Sequence, residues 1–293
     1  MSVFSTLFKR SLTPAWSFSC DAILWRILLS DRGRIAGECR DQTLKTTAFF
    51  CLDEGTGAVL WRHMRAEEPW WIGLEAVHGD RVFLHGFETP DMPEHKRIIA
   101  LDLETGGEVW KNDELTFWFA FGSHVYSTRT FFERKTGQIL DAGSGAMVEE
   151  VENIEDLREA RELAWGEDVH HQIDFPEIVD RDSVPRDLLE FLERETGNQE
   201  LVGGIESVVK EQYAVVTYHR REKKSQPGEP SLESRIAVYN RRERRKVFSE
   251  ILMRNARMPA PDTFFVKDAL FFIKDQKTLS MIPLPDNDAS SLP

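Results

Sequence analysis

The residues of this 293-residue chain with the most chemistry to offer lie between 168 and 182. His170 and His171 stand between Asp168 and Asp174, side chains of the types that ligate a divalent cation. Asp174, Glu177, Asp180 and Asp182 follow, and carboxylates that converge can share a proton or hold a cation. Adjacent histidines on a strand point to opposite faces, so the sequence predicts no metal site there. Gly143-Ser144-Gly145 resembles a nucleophile elbow but has Ala142 where the first glycine is needed, and it reads as a flexible hairpin or loop. There is no glycine-rich dinucleotide or phosphate loop and no His-Glu-x-x-His pattern. No catalytic, cofactor-binding or metal residue is therefore assigned. Cys20, Cys39 and Cys51 have no close pairing and suit buried thiols in a reducing compartment.

The elements that must position any site are strands. Leu52-Asp53-Glu54-Gly55-Thr56-Gly57 is followed by Leu60-Trp61, and 49 residues on Leu101-Asp102-Leu103-Glu104-Thr105-Gly106 is followed by Val109-Trp110. A β-rich run precedes each phrase, and the Asp and Thr-Gly residues supply turn chemistry, so each phrase reads as a hairpin ending in Trp. A looser third copy is read at Phe132-Glu133-Arg134-Lys135-Thr136-Gly137, with Asp141 in the Trp position, and a fourth at Val238-Tyr239-Asn240 with Phe248. Strand repeats of this length point to a propeller, in which each blade needs its neighbours to bury its faces.

The pattern carried by Asp53, Thr56, Gly57 and Trp61, and again by Asp102, Thr105, Gly106 and Trp110, resembles the blade motif of the quinoprotein (pyrroloquinoline quinone-like) β-propeller repeats. The overall layout is also similar to a family of small bacterial propeller proteins with no assigned activity. The resemblance implies a structural Trp docked between adjacent blades. It implies no quinone here, since the dehydrogenases that share the motif carry an adjacent cysteine pair and a calcium site, and this chain has no adjacent cysteines. The expected fold is all-β: a single domain over 1–293, a propeller of about five to six blades with a helical acidic insertion over 148–200.

That insertion holds 18 acids and 5 arginines, and 5 − 18 = −13 equals the net charge of the whole chain. Its periodicity changes to 3.6: Ile154, Leu157, Arg161 and Ala164 share a face of a helix over 153–165. Leu188, Leu189, Phe191 and Leu192 stripe a second helix, capped by Ser183, begun near Pro185 and ended by Gly197. Two basic clusters, Arg220 to Lys224 and Arg241 to Lys246, read as solvated strand tips, as a patch for an acidic protein or as partners of the acidic insert, and 223–234 as an exposed mobile loop. Trp70, Trp71 and Trp118 read as packing between blades. Val3, Phe4, Leu7 and Phe8 have the spacing of a short amphipathic segment that docks on the protein's own body, a partner or a membrane surface, the first being favoured.

The acidic balance argues against nucleic-acid binding. No apolar run reaches the length of a membrane span, and the first 20 residues contain no secretory signal, which predicts a cytoplasmic protein. The expected function is a non-catalytic protein-interaction or scaffold propeller without cofactor, holding a protein partner, of which a basic one would suit the acidic insertion, in an oligomeric state the sequence leaves open. The rival readings are an enzyme or cation-binding protein with Asp174, Glu177, Asp180 and Asp182 at the propeller mouth, and an accessory subunit of a membrane-associated complex.

Overall fold

The computed structural model describes residues 11–87, 94–131, 134–179, 184–197, 200–222, 231–259 and 263–284. The chain divides into two compact units, Cys20–Gln172 and Met1–Ser19 with Ile173–Pro293. Among the described residues the dominant element is the antiparallel strand, arranged in five sheets.

β1 (Trp16–Ser19) belongs to the second unit. The first unit contains three four-stranded meanders in chain order. These are β2 (Ile23–Leu29), β3 (Arg34–Asp41), β4 (Thr46–Asp53) and β5 (Val59–Met64); β6 (Ile72–His78), β7 (Arg81–Phe87), β8 (His95–Asp102) and β9 (Glu108–Asn112); and β10 (Thr116–Phe121), β11 (His124–Phe131), β12 (Arg134–Asp141) and β13 (Met147–Val151). A 3-10 turn at Ile154–Leu157 leads into α1 (Arg158–Gly166).

In the second unit β14 (Glu177–Ile178) precedes α2 (Arg186–Thr196) and edges a sheet with β15 (Glu206–Val209), β16 (Tyr213–Arg221), β17 (Leu232–Asn240) and β18 (Arg245–Ala256). The last sheet has the order β1-β21-β20-β19, built from β19 (Phe264–Val266), β20 (Ala269–Lys274) and β21 (Thr278–Pro283). Its fourth strand therefore comes from the opposite end of the chain, with Trp16 opposite Met281. The three meanders, each of four consecutive antiparallel strands, have the makeup of propeller blades, and the other two sheets vary it by an added edge strand and by a strand from the chain's other end.

Middle strands are buried on both faces, which is why their sequences run apolar rather than alternating: Val82 to Leu84 on β7 and Ala214 to Val216 on β16 are all buried. The fourth strands of the three meanders are wetter, β13 being exposed along most of its length. Apolar clusters link successive sheets. Phe49 and Cys51 of the first meander pack with Leu74, Val82 and Leu84 of the second, and Phe83 and Ala100 of the second pack with Val125 and Leu140 of the third. Each of the larger side chains, Phe49, Leu74, Val82, Leu84, Phe83, Val125 and Leu140, contributes roughly 1.5–3 kcal/mol.

The repeated phrase is a turn that locks the third strand to the fourth. The Asp53 carboxylate accepts the Thr56 N–H at 2.9 Å and its hydroxyl at 2.7 Å, and Gly57 takes φ +69°. Asp102 accepts the same two groups of Thr105, each at 2.8 Å, with Gly106 at φ +71°. The third copy is displaced from the position the sequence suggested. Residues 134–137 begin β12, and the turn is Asp141-Ala142-Gly143-Ser144-Gly145 instead. There Asp141 accepts the Ser144 N–H at 2.8 Å and its hydroxyl at 2.6 Å, and Gly145 has φ +71°. The Thr-to-Ser exchange hid it. Its carboxyl, like those of Asp53 and Asp102, is held below the ordinary value, chiefly by that hydroxyl. The fourth copy is where the sequence placed it: Asn240 accepts the Glu243 N–H at 2.8 Å, and Arg244 takes the positive φ that glycine has elsewhere.

Two expectations need correcting. Cys20, between β1 and β2, and Cys39 on β3 form a disulfide with their Cα atoms 6.3 Å apart; Cys51 alone is a free thiol. Within the region expected as a mobile loop, Leu232, Glu233 and Ser234 are buried strand residues, since Glu233 is matched by Arg220, Arg235 and Arg254.

Candidate functional site

Of the four acids expected to converge, Asp180 and Asp182 lie outside the described residues, as do Ser183 and the Val3 to Phe8 segment. Asp174 pairs its carboxylate with Lys210 and its backbone with Val266, and Glu177 is exposed on the edge strand β14. His170 and His171 sit in an exposed 3-10 turn rather than a strand, with His171 edge-on to Trp165 at 5.1 Å.

The two halves of the acidic insertion differ. α2 buries Leu188, Phe191 and Leu192 on Ala214, Val216, Ala237 and Tyr239, with the Phe191 and Tyr239 rings stacked at 4.5 Å. Its acids are answered from within the chain: Arg241 reaches both oxygens of Asp187 at 3.1 and 3.2 Å, Lys246 meets Glu195 at 2.7 Å, and Arg244 lies 3.7 Å from Glu190. The Asp187 carboxyl is lowered first by the Arg241 hydrogen bond. The second basic cluster therefore anchors α2 and does not form a set of free strand tips.

α1 is anchored differently. Its amphipathic sequence buries no residue of its own; the 3-10 turn before it is pinned by Leu157, which fills the space over Gly137. Leu163 is 53% and Trp165 68% exposed. Residues 148–172 carry nine acids and two arginines, 2 − 9 = −7. Of those arginines, Arg161 lies over the Trp118 ring at 5.2 Å. Trp70 likewise receives Arg40 at 5.1 Å and Lys45 at 4.6 Å, and Trp71 meets Phe87 at 6.0 Å. None of these three tryptophans is fully buried, so they serve as half-exposed platforms rather than core.

A second constellation escaped the sequence reading. Glu75 on β6, His85 on β7 and His95 on β8 bring one carboxylate oxygen and two imidazole nitrogens together within 4.8 Å. Glu75 Oε2 is 2.7 Å from His85 Nδ1 and 2.8 Å from His95 Nδ1, and the two rings stack at 3.5 Å with 6° between their planes. Strand register explains the meeting: His85 faces Gly73, Phe87 faces His95, and Glu75 is the extra residue of a bulge between Leu74 and Ala76. Bulges re-aim side chains. Gly73 is required here, because a Cβ would stand 2.7 Å from the His85 ring. Burial by itself raises the Glu75 carboxyl, but the two imidazoles more than offset this and hold it down at about 2. The three residues come from three strands, with no short motif, and only the strand register joins them.

Residues 29–110, which include this cluster and the first two turn motifs, match a family model described as a domain of unknown function (DUF4905). No curated protein matches. Among solved structures the chain is similar to the β-propeller domain of the Trilobed protease from Pyrococcus furiosus, with a TM-score of 0.32, 12% identity, and coverage of 92% of this chain and 73% of that one. It is also similar to the Dos1 propeller, with a TM-score of 0.31, 11% identity, and coverage of 90% and 68%. Likenesses at these scores carry no weight for the fold, which rests on the strand order above. Among the described residues no helix is long and apolar enough to cross a membrane.

Proposed function

We propose that this chain is a five-bladed propeller of the quinoprotein-like repeat type that works as a non-catalytic interaction module, and that the segment around α1 docks a basic protein partner. The observation that carries the reading is the contrast between the helices. α2 spends its apolar stripe and its acids inside its own unit, whereas α1 leaves Leu163 and Trp165 in water beside a surplus of carboxylates. Exposed aromatics ringed by one sign of charge suit a partner that offers apolar residues among lysines and arginines. Five sheets, three with the makeup of a blade and two that vary it, support the propeller, as does the fourth strand of the last sheet being drawn from the chain's other end.

The test is a photo-crosslinking side chain placed at position 165 and, as a control, at the equally exposed Leu44 in the first meander. The reading expects a discrete adduct in native cells from position 165 and none from position 44. Identical patterns from both positions would remove α1 as the docking element.

A further inference from the structure

We propose that Glu75, His85 and His95 bind one divalent first-row transition-metal ion through Glu75 Oε2 and the Nδ1 atoms of both histidines. Two imidazoles and one carboxylate are a donor set for zinc, iron, manganese or nickel, and three protein ligands leave coordination positions open. The open side is that of His95, whose side chain is 36% exposed, while His85 is 5% exposed and fixed from below.

Several features set this cluster apart from an ordinary buried ion pair. Glu75 Oε2 and His85 Nδ1 are both buried and lie 2.7 Å apart, but neither has a hydrogen bond of acceptable geometry. Buried polar atoms of this kind call for an explanation. Two stacked imidazoles also share a single carboxylate oxygen, an arrangement in which a cation at their meeting point satisfies all three donors at once. Metal bonds of about 2.0–2.1 Å need slightly wider ligand separations than those found. Glu75 on its bulge and His95 at the start of β8 are the two ligands free to supply that movement.

The surroundings are built around the cluster. A second bulge falls between His85 and Gly86 in the β7–β8 register, leaving Arg97 unpaired at φ +74°. Phe87 stands edge-on to both imidazoles, at 5.2 and 5.5 Å, and Trp71 backs Phe87, so the ligands have an apolar wall on one side and solvent on the other. Such supporting groups tune metal affinity by 10–100-fold or so, and loss of a ligand costs more.

The test is a titration of the metal-stripped full chain with Zn(II) against a chromophoric chelator, with Co(II) visible absorption as a second readout. The expected result is one ion per chain, Co(II) bands from nitrogen and oxygen ligands, and at least roughly 100-fold weaker binding in His95→Ala and Glu75→Gln. His85 is buried and its loss can unfold the sheet, so His95→Ala is the deciding variant, with an unchanged metal-free melting temperature as its control. A double His170→Ala, His171→Ala variant is expected to bind as the parent does. The proposal is overturned if the parent takes up no zinc, if His95→Ala binds as tightly as the parent, or if binding disappears with His170 and His171.

Discussion

Gly145 lies flat against the indole of Trp110: a Cβ on that glycine would stand 2.5 Å from the ring, and the indole N–H donates to the Ala142 carbonyl at 3.0 Å. The same arrangement holds one sheet earlier, where Gly106 covers Trp61 and Leu103 accepts its N–H at 2.9 Å. The Trp that closes one repeat is thus seated on the Asp turn of the next, so a local turn motif also serves as the fastening between sheets. Replacing Trp110 with Ala should cost about 3–5 kcal/mol, as removal of a large buried aromatic does. Urea unfolding checks this, and a loss below about 1 kcal/mol would contradict the fastening role.

The glycine is as constrained as the Trp. Gly106→Ala places a methyl 2.6 Å from the Trp61 ring at a φ of +71°, whereas Gly107→Ala meets only Thr105 Oγ1 at 3.5 Å. The first substitution should lower the unfolding free energy in a denaturant titration by clearly more than the 1 kcal/mol or so typical of such backbone changes, and the second should be near neutral. Equal effects at the two positions would sink the explanation.

The turn aspartates set an acid limit on stability. Asp53 and Asp102 are held below the ordinary carboxyl value, first by the Thr56 and Thr105 side chains. A carboxyl lowered in the folded state stabilises above its unfolded pKa and loses that contribution as pH falls through the folded one. The contribution of these two turns should therefore be constant from neutral pH to the unfolded value near 3.8 and be lost below it. Asp102→Asn should flatten its share of that fall in an acid titration followed by circular dichroism.

The cysteines make a countable prediction. Under denaturing conditions without reductant one thiol should react, Cys51, and after reduction three. In the native protein Cys51 should stay silent, since burial pushes its thiol up to about 12. Three reactive thiols before reduction would contradict the Cys20–Cys39 link.

Arg241 is predicted to hold α2 in place. It spans both Asp187 oxygens and the Lys210 carbonyl at 3.0 Å. Charge-assisted hydrogen bonds of this kind contribute about 1.5–3 kcal/mol, so Arg241→Ala should expose α2 to limited proteolysis before the sheets unfold. Uniform cleavage resistance would contradict it.

What could be read from the sequence follows interaction range. The Asp53 and Asp102 turns and both helices are local, with their donors and acceptors within three or four residues, and they stand where the sequence placed them. The third turn was misplaced because Ser144 does the work of Thr and no Trp follows it. The Cys20–Cys39 link and the Glu75, His85 and His95 cluster depend on strand register and two bulges, which no spacing along the chain encodes. Trp70 and Trp118 are only half-buried because each holds a cation over its ring, which hydrophobicity does not reveal, while Trp71 is exposed beside Phe87. The pairing of Arg241 and Lys246 with α2 is one of three readings the sequence leaves open, and proximity in the folded unit decides it.

The measurement that bears most directly on the proposed function is capture of partners by the tagged full chain at low salt and at roughly 0.5 M salt, where surface charge pairs are screened. The parent is compared with a Leu163→Ser, Trp165→Ser variant of unchanged stability. The account predicts partners that are held by the parent at low salt and lost both at high salt and in the variant. Partners held equally by parent and variant would contradict it.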